Sequence, residues 1–364
     1  MGEETIKVAI VHDWLITIAG AEKVLMELLR LYPGADLFSI VDFLSDSDRQ
    51  KIFGKRAKTT FIQYLPFARR YFRHYLPLFP KAIESLDLTG YDLVISSSWA
   101  FAKGIKKRPG QKHICYCHTP IRYAWDLKSE YLATLTSPKR ELVDRILAYI
   151  RWWDLRTAQG VDLFIANSTC VRERIQRIYK KDAVVIHPPV DTERFELDTQ
   201  KDDYYLTLSR LVPYKKTALL VQAFNDMPNR RLKVVGVGEE YEKIKGMAGP
   251  NVEVLGYKDD EEVARLMRRA KGFVYGALED FGIVMAEALA CGTPVIAYEK
   301  CGARDIVREG CGVLFSQQKV ESIKEAVERF ERMEFDYQSI RQNALQFSKE
   351  KFRTKVKKVI DENI

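Results

Sequence analysis

Long apolar runs are missing from this sequence. No stretch approaches the ~18 uninterrupted apolar residues that a membrane-spanning helix needs. The first four residues, Met-Gly-Glu-Glu, are acidic and lead directly into a strand-like segment, which is unlike a signal peptide. Position 6 holds Ile6, whereas a myristoylation signal requires Ser or Thr there. These absences predict a chain that stays in the cytoplasm.

Metal ligands are also scarce. The chain has 5 histidines and 6 cysteines, and no two cysteines have CxxC spacing. Cys115 and Cys117 lie two apart in a strand-like run, so they face the same side and would need further ligands from elsewhere. We expect buried thiols rather than a metal site.

What is present is typical of a globular protein with two domains. The 364 residues are 46% hydrophobic and 30% charged, with a formal net charge of +8. This length allows two domains that each bury a core. The positive charge favours acidic partners, which are phosphates, anionic lipid or nucleic acid, and charge alone does not choose among them.

Short β-branched runs alternate with stretches of helical period along the whole chain, which predicts parallel sheets covered by helices on both faces. The expected strands of the first half are 6–12, 35–41, 91–96, 113–117, 161–166 and 183–186, and those of the second half are 204–209, 232–235, 252–255, 272–275, 294–298 and 312–315. The seam is expected at 187–196, where Pro188 and Pro189 prevent a helix. The predicted fold class is α/β, with two Rossmann-like, doubly wound domains facing a cleft in which ligands bind.

The segment Glu279–Glu287 (EDFGIVMAE) carries the strongest local signal. It follows the expected strand 272–275 and opens a helix, so its first backbone amides are free to bind a phosphate. From the segment alone, an ordinary helix start with an acidic first turn is equally consistent.

In its motifs, the sequence resembles glycosyltransferase family 4, whose members are retaining enzymes with the two-domain GT-B fold. The resemblance covers nearly the whole chain and rests on motifs in a fixed order. These motifs are Ala19-Gly20-Ala21-Glu22, Ser209-Arg210-Leu211 with Lys215, Gly236-Val237-Gly238-Glu239, the Glu279–Glu287 segment with Gly292, Pro294 and Val295, and Phe347-Ser348-Lys349-Glu350.

The run Tyr116–Asp126 (YCHTPIRYAWD) is similar to the mannosyltransferases of O-antigen and polysaccharide assembly. This resemblance implies a hexosyltransferase that uses a nucleotide-sugar, with GDP-mannose favoured, and a lipid-linked glycan acceptor. The last helix of such proteins crosses back onto the first domain. We therefore expect an acceptor-side domain at 1–190 plus 348–364 and a nucleotide-sugar domain at 191–347.

The resemblance also implies roles for individual residues. Arg210 and Lys215 match the pair that binds the diphosphate, with Lys216 as a possible substitute, although surface basic residues after a strand are the plainer interpretation. Glu279, with the amides of Phe281 and Gly282, matches the group that holds the donor sugar, and Glu287 matches the residue that grips the ribose. The remaining residues expected at the donor are Gly20, Ile283, Val284, Leu255, Gly256 and Tyr257.

His118 ends an expected strand and matches a residue that touches the transferred sugar, although a lone histidine there is more often structural. Gly20 is equally consistent with a plain helix cap. Because Arg and Lys supply positive charge, and no Asp-x-Asp motif lies in either phosphate region, we expect catalysis without a metal or cofactor. The catalytic residues expected are His118, Arg210, Lys215 and Glu279.

The segment Phe61–Lys81 contains basic and aromatic residues but no acid. Aromatic and basic residues interleaved in this way suit the surface of an anionic membrane, and also single-stranded nucleic acid. A helix that packs its aromatics into the core is the alternative. We expect Arg69, Arg70 and Arg73 to dock a peripheral enzyme on the cytoplasmic face of the membrane, and we expect no nucleic-acid partner.

Two competing functions remain open at this point. Another GT-B enzyme, such as a UDP-sugar transferase, a phosphorylase or an epimerase, would share the motifs. A nucleic-acid or membrane-binding module with an idle cleft would have no need of Arg210, Lys215, Glu279 and Glu287 together.

Overall fold

The computed structural model describes residues 6–133 and 135–364, and it divides into two compact units. Unit 1 takes the chain up to His187 together with Phe352–Ile364, and unit 2 takes Pro188–Lys351. The sequence placed these boundaries after residue 190 and after residue 347. The observed unit 2 is longer than predicted by a few residues at each end. The reason is that the Val190 amide donates to the Phe347 carbonyl at 2.8 Å, and Val190 forms a β-bridge with Ser348. Both ends of the segment are therefore held in unit 2.

Unit 1 is built on one parallel sheet of seven strands in the order β3-β2-β1-β4-β5-β6-β7. The strands at its centre are apolar and buried, as expected for a sheet covered on both faces. The seven strands are β1 Val8–His12, β2 Asp36–Ser39, β3 Lys58–Thr59, β4 Leu93–Ser98, β5 Lys112–Cys117, β6 Leu163–Ala166 and β7 Ala183–Val185.

Helices follow most of these strands. The first begins at Gly20, where the Glu22 carboxylate accepts the Ala19 amide at 2.8 Å and caps the open end. The helices of unit 1 up to its boundary are α1 Gly20–Leu31, α2 Asp46–Lys51, α3 Ala68–Tyr71, α4 Phe79–Glu84, α5 Lys128–Ala133, α6 Ser137–Ala158 and α7 Thr169–Tyr179.

The basic, aromatic segment 61–81 does not form one continuous helix. It contains 3-10 turns at Phe61–Tyr64 and Phe72–Leu78 around α3, and then α4. Pro66 and Pro77 lack the amide that a continuous helix requires, so the helical turns stay short.

Unit 2 repeats the architecture with six parallel strands in the order β10-β9-β8-β11-β12-β13. The prediction of two doubly wound parallel sheets is therefore confirmed. The strands are β8 Asp202–Leu208, β9 Leu232–Val235, β10 Val252–Gly256, β11 Ala270–Tyr275, β12 Val295–Tyr298 and β13 Gly312–Phe315.

The helices of unit 2 include one with the expected capping residue. The Asp259 side chain accepts the Glu262 amide at 2.8 Å and starts α10. The helices are α8 Thr217–Asn225, α9 Tyr241–Met247, α10 Asp260–Arg269, α11 Ile283–Ala290, α12 Gly302–Ile306, α13 Val320–Glu331 and α14 Tyr337–Ala344.

The last helix, α15 Lys349–Asp361, contributes mainly to unit 1. Phe352, Val356 and Ile360 are buried on one stripe and pack with the apolar residues of β1 and α1. Unit 1 is therefore made of two separate segments of the chain, whereas unit 2 is one continuous segment. Among the helices of 6–133 and 135–364, none combines the length and apolarity needed to cross a bilayer.

A buried ion pair lies beneath the sheet edge of unit 1. Lys103 and Asp154 are 1% and 0% exposed, and the Lys103 ammonium lies 2.5 Å from the Asp154 carboxylate. The carboxylate also accepts hydrogen bonds from the Trp125 indole and the Tyr179 hydroxyl, both at 2.8 Å. Burial disfavours the charged amine, but the surrounding groups, with Asp154 the largest contributor, together outweigh burial and raise the pKa of Lys103. The pair therefore joins the loop after β4 to α6 and α7.

We predict that Lys103→Met destabilises unit 1 by about 3–5 kcal/mol, because it leaves the Asp154 charge buried without its cation. All five tryptophans lie before residue 188, so tryptophan fluorescence during urea unfolding reports on unit 1 alone.

The double variant Lys103→Met/Asp154→Asn is the matched control, since the amide keeps an acceptor for Trp125 and Tyr179 and carries no charge. It should recover a large part of the loss. A single variant as stable as the wild type would contradict the assignment of the pair as a structural constraint.

Candidate functional site

Both sheets reverse their strand order at one point, between β1 and β4 in unit 1 and between β8 and β11 in unit 2. The loops that follow the two strands at such a point run in opposite directions and leave a crevice at the carboxyl edge.

In unit 2, residues 64 positions apart meet at this edge. Lys215 lies in the loop after β8 and forms a close ion pair with Glu279, which lies in the loop after β11. The Tyr275 hydroxyl lies 3.2 Å from the Lys215 ammonium and 3.0 Å from the Glu279 carboxylate. The three side chains form one hydrogen-bonded cluster, which we call the Lys215 cluster.

Arg210 lies in the same loop as Lys215 and is exposed. Its guanidinium has no hydrogen bond or ion pair to any described residue, so it is available to an anionic ligand. Two glycines permit the loop's position, because a Cβ on Gly236 or Gly238 would lie 1.8 Å or 2.2 Å from the carbonyls of Ser209 and Leu211. Lys216 is exposed with a left-handed φ of 58°.

The helix after Glu279 begins as the sequence suggested, beyond a glycine. Gly282 has a φ of 90° and precedes α11. The Met285 amide bonds to the Gly282 carbonyl, which leaves the amides of Ile283 and Val284 in the first turn without intrahelical acceptors. Glu287 is the fifth residue of this helix and is 7% exposed.

The loop that carries Glu279 is fixed by backbone contacts. The Gly302 amide donates to the Glu279 carbonyl at 3.0 Å, and the Gln318 side chain donates to the Gly276 carbonyl at 2.7 Å. Phe281 is buried and meets the Phe347 ring edge to face at 5.4 Å. The Lys215 cluster therefore rests on a rigid support.

Leu255, Gly256 and Tyr257 end β10, two strands from the reversal point. Gly256 has a φ of 68°, and its carbonyl accepts the Gly236 amide at 2.9 Å. The Tyr257 side chain is 75% exposed, which is unusual for a large aromatic residue.

In unit 1, two buried histidines lie at the sheet edge. His118 follows β5, and its Nε2 lies 2.9 Å from the Ser97 hydroxyl. His12 ends β1, and its Nε2 lies 3.4 Å from the Glu22 carboxylate, which caps α1 beside the exposed Gly20. Burial, reinforced by His12, lowers the pKa of His118 to about 3, so this imidazole is neutral at physiological pH.

Arg69, Arg70 and Arg73 are all exposed on the outer surface of unit 1. Arg70 and Arg73 lie over the rings of Tyr71 and Phe72, at 5.2 Å and 5.0 Å. Beside them Tyr64 and Phe67 are 81% and 80% exposed. Basic and aromatic groups therefore share one uncovered surface.

Three residues of these clusters were not identified from the sequence, namely Tyr275, His12 and Ser97, and Glu22 was named only as part of the motif Ala19–Glu22. Tyr275 ends a strand four residues before Glu279, and that spacing could have pointed to it. The partners of the histidines come from distant segments, so no local pattern identifies them. In the described part of the chain, no three His, Cys, Asp or Glu side chains are grouped closely enough to hold a metal ion.

His118 and His113, which burial keeps neutral, predict that unit 1 loses stability in acid. His113 is also fully buried, and burial lowers its pKa to about 3. Unfolding restores a pKa near 6.5, so below this pH the unfolded chain binds more protons than the folded chain does. Stability from each histidine is complete above pH 6.5 and falls as the pH decreases toward 3, by about 2 kcal/mol at pH 5.

His118→Gln should therefore reduce the loss of unfolding free energy between pH 8 and pH 5 by about 2 kcal/mol, as measured by tryptophan fluorescence in urea. Ser97→Ala is the control, because it removes the hydroxyl partner but keeps the buried imidazole. It should lower stability without changing the pH dependence. Equal pH dependence in His118→Gln and the wild type would show that His118 is not held neutral.

Sequence models of two families match the chain in succession. Glycosyltransferase Family 4 matches residues 18–194, and Glycosyl transferases group 1 matches residues 189–347. Together they cover both units.

Curated relatives are similar over part of their length. An uncharacterized glycosyltransferase of Methanocaldococcus jannaschii is 30% identical over 213 residues, which cover 55% of this chain and 60% of that protein. The GDP-mannose-dependent alpha-(1-6)-phosphatidylinositol monomannoside mannosyltransferase of Mycolicibacterium smegmatis is 29% identical over 205 residues, which cover 47% of this chain and 53% of that one. The matched regions thus span little more than half of these relatives.

Solved structures resemble the whole chain. Anabaena HepE in complex with UDP and glucose matches with a TM-score of 0.70 and 18% identity, over 98% of this chain and 100% of that one. Sucrose-phosphate synthase from Thermosynechococcus elongatus matches with a TM-score of 0.70 and 18% identity, over 98% of each chain. Because the two family matches run from residue 18 to residue 347 and both sheets are doubly wound, the chain belongs to glycosyltransferase family 4 and has the GT-B fold.

Proposed function

We propose that this chain is a retaining glycosyltransferase that moves a hexose, with mannose from GDP-mannose as the donor, to a lipid-linked oligosaccharide. The observation that carries the proposal is the meeting of Lys215 and Glu279 at the reversal point of the unit 2 sheet, where Tyr275 contacts both. A cation for phosphate and a carboxylate for sugar hydroxyls lie side by side, next to the first turn of α11.

The proposed chemistry breaks the bond between the sugar's anomeric carbon and the β-phosphate oxygen. Negative charge develops on the departing diphosphate, where Arg210, Lys215 and the amides of Ile283 and Val284 stabilise it more in the transition state than in the ground state. The acceptor hydroxyl attacks from the same face, and its proton passes to the departing phosphate. These cations supply the positive charge without a metal ion or cofactor.

The other site residues have roles in binding. Glu279 and the amides of Phe281 and Gly282 hold the donor sugar, and Glu287 holds the ribose. Leu255, Gly256 and Tyr257 lie beside the base. Gly20 lets the chain approach the donor, and neutral His118 contacts the transferred sugar.

The choice of GDP-mannose rests on resemblance. The run Tyr116–Asp126 is similar to mannosyltransferases, and the relatives include the mycobacterial enzyme named above and the phosphatidyl-myo-inositol mannosyltransferase of Mycobacterium tuberculosis, which is 34% identical over 164 residues. HepE, by contrast, was crystallised with UDP-glucose. Donor identity is therefore the point to test first.

We predict that GDP-mannose at 100 times its Kd stabilises unit 2 by about 2.7 kcal/mol, which thermal-shift measurements against GDP-, UDP-, ADP- and dTDP-sugars can detect. Lys215→Ala and Arg210→Ala should each weaken this shift. Each should also lower kcat about 100-fold or more, because each removes a cation from the departing diphosphate.

Lys324→Ala is the matched control, since Lys324 lies on α13, pairs with Asp226 at the end of α8 and has no role assigned at the donor. It should keep the full thermal shift and activity. Stabilisation by UDP-sugars alone would refute the choice of mannose, and no shift with any nucleotide-sugar would refute the donor site. Release of a changed nucleotide-sugar without an acceptor would instead identify an epimerase.

The acceptor proposal rests on the exposed surface formed by Tyr64, Phe67, Arg69, Arg70 and Arg73. Side chains of this kind partition into the headgroup region of an anionic bilayer, where each basic residue contributes about 1 kcal/mol. In this proposal the enzyme is peripheral on the cytoplasmic face of the membrane, where a lipid-linked glycan reaches it.

We predict that the triple charge reversal of Arg69, Arg70 and Arg73 to Glu lowers binding to anionic vesicles about 100-fold or more in flotation assays. Vesicles of phosphatidylcholine alone should bind the wild type weakly.

The matched control reverses the charge of three exposed lysines of α15, Lys351, Lys355 and Lys358, by changing each to Glu. It changes the net charge by the same amount. It should bind nearly as well as the wild type. If both triple variants lost vesicle binding equally, the binding would depend on net charge and not on the surface around Arg69, Arg70 and Arg73. If the wild type bound single-stranded DNA in preference to vesicles, the membrane assignment would be contradicted.

A further inference from the structure

Two tryptophans face each other at the reversal point of the unit 1 sheet. Trp14 follows β1 and Trp99 follows β4, the two strands between which the order reverses. Their rings meet edge to face, with centroids 5.2 Å apart and planes at 86°. Both side chains are partly exposed, although most of their aromatic neighbours are buried.

The position of Trp99 is fixed by a buried carboxylate. Asp13 is 0% exposed and accepts the backbone amides of Trp99, Ala100, Phe101 and Ala102, at 2.6, 2.9, 2.5 and 2.7 Å. Four hydrogen bonds from backbone amides offset only part of the cost of burying this carboxylate, because burial still raises the pKa of Asp13. They hold the whole loop after β4 in one conformation.

Trp14 is held from its other side by apolar packing. Its ring lies 5.8 Å from Phe72 and 6.2 Å from Phe79, and both phenylalanines are buried. A ligand that contacts the two indoles therefore meets rings that are already in place, so little conformational entropy is lost on binding.

The polar groups beside the indoles are uncharged or internally paired. Trp99 contacts the ring of His12 at 4.8 Å and the ring of His118 at 5.9 Å. His118 uses Nε2 for Ser97, and its Nδ1 has no hydrogen bond to any described residue. A neutral imidazole of this kind offers one donor and one acceptor.

These features select one class of ligand. A phosphate would require a cation, and no described Lys or Arg cation lies over either indole ring. A pyranose ring has apolar C–H faces that suit an indole and hydroxyl groups that suit a neutral imidazole. The reversal point of a doubly wound sheet is also where ligands of such folds bind.

We propose that Trp14 and Trp99, beside His118, form the binding site for a sugar ring of the acceptor, with Asp13 as the positioning residue for Trp99. This inference rests on the proposed function, since it assigns the second substrate of the same reaction. It differs from the donor assignment in resting on two indoles of unit 1 rather than on the cations of unit 2.

The test uses the full chain and its own fluorescence, since all tryptophans lie in unit 1. The probes are the methyl α-glycosides of mannose, glucose, galactose and N-acetylglucosamine, titrated singly. At least one should change the emission saturably. Trp99→Leu should weaken the binding of that glycoside roughly tenfold, the loss expected for one aromatic contact.

Trp152→Leu is the matched control, because Trp152 is exposed on α6, where it stacks on Tyr149. It should leave the affinity unchanged. Trp99→Tyr keeps an aromatic ring and should bind with intermediate affinity, which separates loss of the contact from misfolding. Each variant must retain the wild-type thermal shift with its nucleotide-sugar, so that failure of the donor site is recognised separately.

The proposal is overturned if no glycoside gives a response that depends on Trp99. It is also overturned if Trp99→Leu and Trp152→Leu weaken binding equally, or if free nucleosides bind at Trp99 and glycosides do not. A donor shift that persists in any of these cases leaves the donor assignment intact and refutes only the acceptor site.

Discussion

The reversal of strand order at the centre of each parallel sheet is the constraint on which both polar clusters depend. Parallel strands end at the same edge, and neighbouring strands that are distant in sequence bring their following loops together there. Lys215 and Glu279 meet in unit 2 for this reason, although 64 positions separate them. Trp14 and Trp99 meet in unit 1 in the same way.

The Lys215 cluster holds two opposite charges in a mostly buried position. The side chains of Lys215 and Glu279 are only 17% and 22% exposed, so each charge has the other as its partner in place of most of its water. A phosphate can replace the carboxylate as the partner of the lysine, and a sugar hydroxyl can replace the lysine as the partner of the carboxylate. The Tyr275 hydroxyl, which contacts both, keeps each group oriented while these partners exchange.

The sequence predicted the elements whose signal is local. Runs such as Leu232–Val235 and Gly312–Phe315 have the predicted bounds, because strands of a sheet covered by helices are mostly apolar. The strand Lys58–Thr59 is too short and too polar to show such a pattern. The contacts of His118 with Ser97 and of Asp13 with the loop after β4 arise only when distant strands pair. Site residues could be named from motifs, whereas their partners could not.

The two proposed sites differ in the charge of the ligand that each would bind. The nucleoside diphosphate of the proposed donor is anionic, and unit 2 provides the exposed Arg210 and the mostly buried Lys215, whose charge is paired with Glu279. A sugar is neutral, so a bare charge in its site would lose water without gaining an equivalent partner. Unit 1 keeps His118 uncharged by burial, pairs Glu22 with the Ala19 amide, and encloses Asp13 among four backbone amides. The proposed acceptor site offers two indoles beside a neutral imidazole, which match a neutral ring in polarity.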